Sequence, residues 1–292
     1  MWKNFRKLYT LVGTDSRVQK RFKGPLKAAI LDWSGTVTDP YVIAPAIGFQ
    51  KVFEKKGVPI SMEEARLPMG LRKDLHIEEI TRMPDVLERW NLVYNRDPNK
   101  EDIKEMYNQY VPTVIENLSN YSQIIPGTRD AANRLRNNLK LKIGLTTGFT
   151  RPMADVVLEH MRAQGFEPDV DIAGDEVENG IRPQPFMLYK NLEKLGVFPI
   201  QSVVKVDDTV SGIEEGLNAG CWTVGLSRYS NYMNINSYAQ ESQLSQKEID
   251  YRNNKTKDIL SMGGAHYVID SIKELPDVCC DINSKLNYGI HP

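Results

Sequence analysis

The chain has 292 residues, 41% of them hydrophobic, which allows a substantial interior and argues against disorder along its whole length. Lys and Arg number 37 against 38 Asp and Glu, so no global field favours nucleic acid or a membrane surface, and an anionic ligand must be held locally. No apolar stretch approaches the roughly 20 residues of a membrane span, and three cysteines, Cys221, Cys279 and Cys280, make no disulfide framework and suit a reducing compartment.

The N-terminal stretch is basic: Lys3, Arg6, Lys7, Arg17, Lys20, Arg21, Lys23 and Lys27 face only Asp15, while Trp2, Phe5, Leu8 and Val12 recur near helical spacing. It reads either as an organellar transit peptide or as a basic extension, residues 1–25, that packs on the domain or frays. The expected location is cytoplasmic, or mitochondrial if the extension is a transit peptide.

The first β-like run, "AAILD" (28–32), leads into "LDWSGTVTD". An Asp at the mouth of a buried strand, followed by a turn of small residues, suits a phosphoryl-accepting carboxylate. Most enzymes built this way carry a second Asp two positions later, and here that position is Ser34. If Asp32 is a nucleophile, acid–base work must come from elsewhere in the chain.

From about Val42 to Ser122 the pattern changes to helical periodicity without a convincing strand, and it predicts an inserted helical domain over 42–122. Segments such as "IGFQKVFEKKG" and "DVLERWNLVYN" are separated by Pro and Gly, and Ser61 with Glu64 makes a capping box. Beyond it lie the runs "KIGLTT" (142–147), "DVDIAGD" (169–175), "SVVKVDD" (202–208), "WTVGL" (222–226) and "HYVID" (266–270). They are nearly all apolar on both faces, as parallel strands covered by helices on each side must be. Helical segments alternate with them: "GTRDAANRLRNNL" (127–139), "FMLYKNLEKLG" (186–196) closed by Gly196, and a capping box of Ser271 with Glu274 after the last run. The expected fold is therefore α/β, a doubly wound, Rossmann-like parallel sheet formed by 26–41 and 123–292, with ligands at the carboxyl ends of its strands.

At those ends sit Asp32, Thr147 and the pair Asp207–Asp208, while Arg182 lies in the loop "NGIRPQP". An attacking carboxylate, a hydroxyl, a cation and metal-binding carboxylates on one sheet edge are what phosphoryl transfer requires, because that chemistry is mostly positioning and charge neutralisation. Hard oxygen ligands without a His or Cys cluster point to Mg²⁺. Taken singly, each residue has an ordinary reading: a turn-forming Asp, turn chemistry in "TTG", a solvated Arg, an acidic helix cap. Their common edge and order are what speak for a site.

On these motifs the sequence resembles the haloacid dehalogenase superfamily, and within it the phosphonoacetaldehyde hydrolase (phosphonatase) family, over about Leu26 to Asp281. The motifs are "LDWSGTVTD", "IGLTTGFTRPMADVV", "RPQPFM" and "KVDDTVSGIEEGLNAGCWTVG". The most specific is "ARLPMGLRKDLHI" in the helical insertion, similar to the cap segment that separates phosphonatases from other members. The resemblance implies a Mg²⁺-dependent enzyme that cleaves the carbon–phosphorus bond of a small phosphonate to acetaldehyde and phosphate, with no role for nucleic acid or membrane.

Such cleavage leaves a carbanion, so a second Asp protonating an oxygen would be useless and an electron sink is needed instead. Lys73 matches the family's Schiff-base lysine, which turns the departing carbanion into an enamine. His76, three residues on and so on the same helix face, would shuttle protons. Lys73 must be neutral near pH 7, which requires burial or neighbouring cations, with Arg72 and the metal site as candidates. The resemblance further implies Asp32 as nucleophile, and Mg²⁺ held by Asp32, the backbone carbonyl of Ser34 and Asp208. It also implies substrate contacts from Met69, Thr147, Gly148 and Arg182, and a homodimer joined through cap helices.

Three positions depart from the family pattern: Phe149 stands where relatives have Tyr, Val42 near where they have Cys, and Gly212 where many members carry a further acid, leaving Asp207 as a candidate outer ligand. The alternative is a related superfamily hydrolase or phosphatase acting on another phosphonate or phosphate ester, though Ser34 argues against an ordinary phosphatase. A non-catalytic binder has no need of both a nucleophile and an imine-forming amine.

Overall fold

In the computed structural model, which describes residues 22–292, the run after Leu26 forms β1 (Ala28–Asp32), fully buried along its length. The transit-peptide reading falls on residues outside the described ones. The insertion that follows β1 carries five helices: α1 (Ile43–Lys55), α2 (Met62–Arg66), α3 (Lys73–Arg82), α4 (Pro84–Tyr94) and α5 (Lys100–Leu118). The expected capping box starts α2, with Ser61 Oγ accepting from the Glu64 N–H at 3.1 Å and Glu64 accepting from the Ser61 N–H at 2.7 Å. A second box, Asn99 with Asp102, starts α5; it escaped the sequence reading because it uses the Asn/Asp version of the motif. Gly48 lets α1 lie against α5, since a Cβ there would fall 2.2 Å from Val114 Cγ2. The link from β1 into α1 is strained: Asp39, Tyr41 and Val42 have φ of 45°, 70° and 55°, a region that a β-branched residue rarely enters.

The remaining runs give β2 (Lys142–Thr146), β3 (Val170–Ile172), β4 (Val203–Asp207), β5 (Trp222–Leu226) and β6 (Tyr267–Ile269). All pair in parallel, in the order β3-β2-β1-β4-β5-β6. One face carries Ala29, Leu31, Ile143, Leu145, Val204 and Val206 against α6 (Thr128–Asn137), α7 (Arg151–Ala163) and α12 (Leu275–Asn287). The other carries Ala28, Ile30 and Val203 against α8 (Phe186–Leu195) and α9 (Val210–Ala219). Each fully buried Leu or Ile stabilises this arrangement by about 1.5–3 kcal/mol, and the two-sided demand explains why polar residues are excluded from the runs except where another polar group meets them.

Two strands are shorter than their apolar runs. The chain leaves β3 when the Gly174 N–H donates to the Phe149 carbonyl at 2.8 Å rather than to a neighbouring strand. Between β5 and β6 lie α10 (Tyr238–Gln243) and α11 (Gln246–Met262), unannounced in the sequence because few apolar residues mark a face on α11. Among the described residues no helix is long and apolar enough to cross a membrane.

The chain winds away from β1 in both directions, so β1 and β4 flank the crevice where ligands bind in such sheets. Register pairs Asp32 with Thr146 and Leu31 with Val206, which sets Asp32, Thr147 and Asp207–Asp208 at one edge.

Candidate active site

The crevice above β1 and β4 is roofed by the helical insertion and holds a small cavity of about 40 Å³. Its walls bring together Asp32, Ser34, Met69, Lys73, Thr147, Gly148, Arg182 and Asp208, all singled out in the sequence, with Val42, Pro45, Gly70, Phe149 and Thr209. His76 lies one helical turn behind Lys73 and does not line the crevice.

The floor is a buried charge network. Arg182, which the loop after β3 delivers, lies 2.5 Å from Asp32 Oδ1 and donates through Nη2 to the Thr146 carbonyl and Oγ1 at 3.0 and 2.9 Å. Its Nε reaches Glu215 at 3.3 Å. Lys205, wholly buried in β4, donates to Thr146 Oγ1 at 2.7 Å and pairs with Glu215 at 2.9 Å and Asp207 at 3.1 Å. Burial works against the Arg182 charge, but Asp207, Asp32 and Glu215 outweigh it and hold the guanidinium protonated. Burial pushes Asp32 up to about 6 against the pull of Arg182, so its carboxylate is ionised above neutrality.

Asp208 stands apart. Its Oδ2 accepts from the Asn231 N–H at 2.8 Å and its carbonyl from Ser230 Oγ at 2.8 Å, while Oδ1 is buried without a partner. Burial, then Asp32 and Asp207, drive its pKa well upward, so a cation is what would keep it ionised. Carboxylate oxygens of Asp32, Asp207 and Asp208 lie within 4.8 Å of one another, a buried cluster that could hold a metal ion. Asp207 is already engaged, by Lys205 and by the Thr209 N–H and Oγ1 at 3.0 and 2.7 Å, and Asp32 Oδ1 by Arg182, which leaves Asp208 Oδ1 as the unpartnered oxygen of the cluster. Two glycines make this packing feasible. At Gly35, with φ +82°, a Cβ would fall 2.5 Å from Asp208 Oδ2, and at Gly212 one would fall 1.8 Å from Asp207 Cγ. The absence of an acid at position 212 thus has a steric cause: Asp207 fills the space.

The roof is chemically different. Lys73 opens α3, is 6% exposed, and has no carboxylate within 4.0 Å among the described residues. Its Nζ lies 5.8 Å from the centroids of both the Phe49 and Phe149 rings. Burial, then the Arg182 charge, lower its pKa to about 8, with Asp32 opposing. Arg72, named from the sequence as a contributor, is not one: its guanidinium points to Asp74 at 2.6 Å on the surface. The cation that acts on Lys73 comes instead from the sheet, across the crevice. The ring of His76 stacks on Phe49 at 3.8 Å between centroids, and Nε2 donates to the Ala65 carbonyl at 2.9 Å. That assigns Nδ1 as a buried acceptor with no partner. Burial, then the nearby Lys73 charge, hold His76 well below its usual range, so the ring is neutral.

Roof and floor meet tightly. Gly70, with φ +102°, lies so close to α9 that a Cβ would fall 2.2 Å from Ser211 Oγ. Thr147 Oγ1 accepts from the Phe149 N–H at 3.1 Å, fixing the "TTG" turn beneath Lys73. Sequence reasoning missed Lys205, Glu215, Arg66, Ser230 and Asn231. The first had a signal, a lysine inside an otherwise apolar run, which can be buried only with an internal counterion.

The haloacid dehalogenase-like hydrolase family model matches residues 26–220. The chain is similar to a phosphonoacetaldehyde hydrolase of Syntrophobacter fumaroxidans, 38% identical over 94% of this chain and 98% of that protein. It is likewise similar to one of Paraburkholderia xenovorans, 40% identical over 91% and 99%. Among solved structures, a phosphonoacetaldehyde hydrolase-like protein from Oleispira antarctica superposes with a TM-score of 0.89 at 35% identity, covering 93% of this chain and 97% of that one.

Proposed function

The chain belongs to the haloacid dehalogenase-like hydrolases and, within them, to the phosphonoacetaldehyde hydrolases, and on that premise we propose that it hydrolyses the carbon–phosphorus bond of phosphonoacetaldehyde to acetaldehyde and phosphate. The observation that carries this is the pairing of a buried amine without a counterion, Lys73, with an ionised carboxylate held by a cation, Asp32 with Arg182, on opposite walls of one crevice.

Neutral Lys73 attacks the aldehyde carbon, and loss of water gives an iminium. The unpartnered Nδ1 of His76, one helical turn behind Lys73, supports a proton-accepting role during that condensation. Asp32 then attacks phosphorus in line. The carbon–phosphorus bond breaks with its electron pair flowing into the iminium, which becomes an enamine, while phosphorus becomes an aspartyl phosphate on Asp32. Protonation of the enamine carbon and hydrolysis of the imine release acetaldehyde and Lys73. A second water cleaves the aspartyl phosphate, returning Asp32 and inorganic phosphate. Arg182, Thr147 and Gly148, which line the crevice, are the proposed contacts of the phosphonate, and Met69 the proposed contact from the roof.

Mg²⁺ is the proposed metal, held by Asp32, the Ser34 carbonyl and Asp208; when bound it neutralises charge on the phosphonate oxygens. The orphaned Oδ1 of Asp208 in a buried acidic cluster supports that fit. Residues 42–122 act in this reading as a cap over a core of 26–41 and 123–292, excluding water from the imine. We also propose a cytoplasmic homodimer joined through cap helices, a surface where Leu67 and Leu92 lie exposed. Incubation with phosphonoacetaldehyde, Mg²⁺ and borohydride tests the chemistry: a reduced adduct on Lys73, with acetaldehyde and phosphate released when borohydride is omitted, is expected, and neither adduct nor phosphate would sink it.

A further inference from the structure

Arg66, the last residue of α2, is 4% exposed and has no carboxylate within 4.0 Å among the described residues. Its guanidinium instead grips two backbone carbonyls and a side-chain amide oxygen. Nη1 donates to the Tyr41 carbonyl at 2.5 Å and to Asn231 Oδ1 at 3.0 Å, and Nη2 donates to the Ile235 carbonyl at 2.7 Å. Tyr41 belongs to the strained link into the helical insertion, whereas Asn231 and Ile235 belong to the loop that follows β5 of the sheet. Asn231 Nδ2 also faces the Arg66 carbonyl at 3.4 Å, so the two residues clasp each other.

The same loop orients Asp208. The backbone N–H of Asn231 is the donor to Oδ2 of that carboxylate, and the hydroxyl of Ser230 binds its carbonyl. Burying a guanidinium without an anionic partner is costly, yet this one sits between the roof and the loop that sets a carboxylate on the floor.

We propose that Arg66 is a positioning residue for the cation site: seated between the roof and the sheet, it clasps the 230–235 loop, and through the Asn231 N–H it fixes Asp208 with Oδ1 free to take a ligand. This rests on the reading of Asp32 and Asp208 as metal carboxylates. Cation affinity of the sheet then depends on docking of the helical insertion, and reciprocity requires that the cation favour the docked state.

The test is direct Mg²⁺ binding by isothermal titration calorimetry on the full chain, without substrate, for Arg66→Ala, Arg66→Lys and Asn231→Ala. Loss of such an outer partner is expected to weaken the metal about tenfold or more. Arg66→Ala combined with Asn231→Ala should be no weaker than the worse single variant, because both act through one path. Hydrogen exchange gives the reciprocal readout: Mg²⁺ should protect residues 39–42 in the parent and fail to do so in Arg66→Lys. Folded variants whose Mg²⁺ affinity stays within about twofold of the parent, well short of the shift expected of an outer partner, would overturn the assignment. Should Arg66→Ala not fold, Asn231→Ala and Arg66→Lys carry the test. A parent that binds no Mg²⁺ sinks the metal reading itself, whereas a binding parent with unchanged variants sinks only the role of Arg66.

Discussion

The two walls of the crevice handle buried charge in opposite ways. On the floor, Asp32, Asp207 and Glu215 are interleaved with Arg182 and Lys205, so each has an opposite neighbour, and Arg182 and Asp207 are held in their charged forms. On the roof, Lys73 and His76 lie among Phe49 and Phe149 with no counterion, and both are driven toward the neutral form. A site that must attack phosphorus with an anion and a carbonyl with an amine needs both environments within one cleft, and pairing versus desolvation is how one chain supplies them. Separating the walls should therefore separate the half-reactions. Lys73→Arg is expected to abolish borohydride trapping and to lower phosphate release by about 10⁴-fold or more, as loss of a covalent nucleophile does. Asp32→Asn should lose phosphate release as severely yet still give the Lys73 adduct. If the adduct survives in Lys73→Arg, or vanishes in Asp32→Asn, the division between the walls is wrong.

The next effects probe how the roof keeps its bases neutral. With Lys73 at about 8, its reactive neutral fraction falls about tenfold per pH unit well below that value, so the trapping rate should rise about fiftyfold from pH 6 to 8 and about a hundredfold to its plateau above pH 9. A rate that keeps rising tenfold per pH unit beyond pH 9, toward the ordinary lysine value of about 10.4, would show that Lys73 is not desolvated as described. His76→Ala should slow trapping by about 10²-fold at every pH, leaving the midpoint near 8, because the neutral ring contributes proton transfer and no charge. A shift of the midpoint with an unchanged plateau would instead make His76 only a neighbour that tunes Lys73.

The comparison also explains what could be read from the sequence. The floor was legible because its residues terminate apolar runs, and a parallel sheet gathers the carboxyl ends of its strands: Asp32, Thr147 and Asp208 needed only the strand pattern. The roof was not, since Lys73 in a charged helical segment looks like a solvated lysine, and it was singled out only through the resemblance of "ARLPMGLRKDLHI". The sequence points to burial, the larger cause of its lowered pKa, but to the wrong cation beside it. Arg72 is adjacent in sequence, but Arg182 is adjacent in space, and nothing local in a helix encodes what the opposite wall will present. Arg66 and Asn231, 165 positions apart, are beyond any periodicity.

The smallest expected effect tests whether the floor is as tightly determined as its ion pairs imply. Ala in place of Gly in a helix interior ordinarily stabilises by about 1 kcal/mol. At Gly212 of α9 the added Cβ would fall 1.8 Å from Asp207 Cγ and 1.9 and 2.2 Å from its two oxygens. Asp207 has nowhere to retreat, being held by Lys205 on one side and Thr209 on the other. Gly212→Ala should therefore reverse the usual sign and destabilise by about 1–3 kcal/mol, as overpacking does, a loss of roughly 2–4 °C in melting temperature for each kcal/mol. Thermal unfolding of the variant beside its parent reads this directly. An unchanged or raised melting temperature would mean that Asp207 moves freely, and with it the claim that the floor holds its charges by fixed pairing would fail.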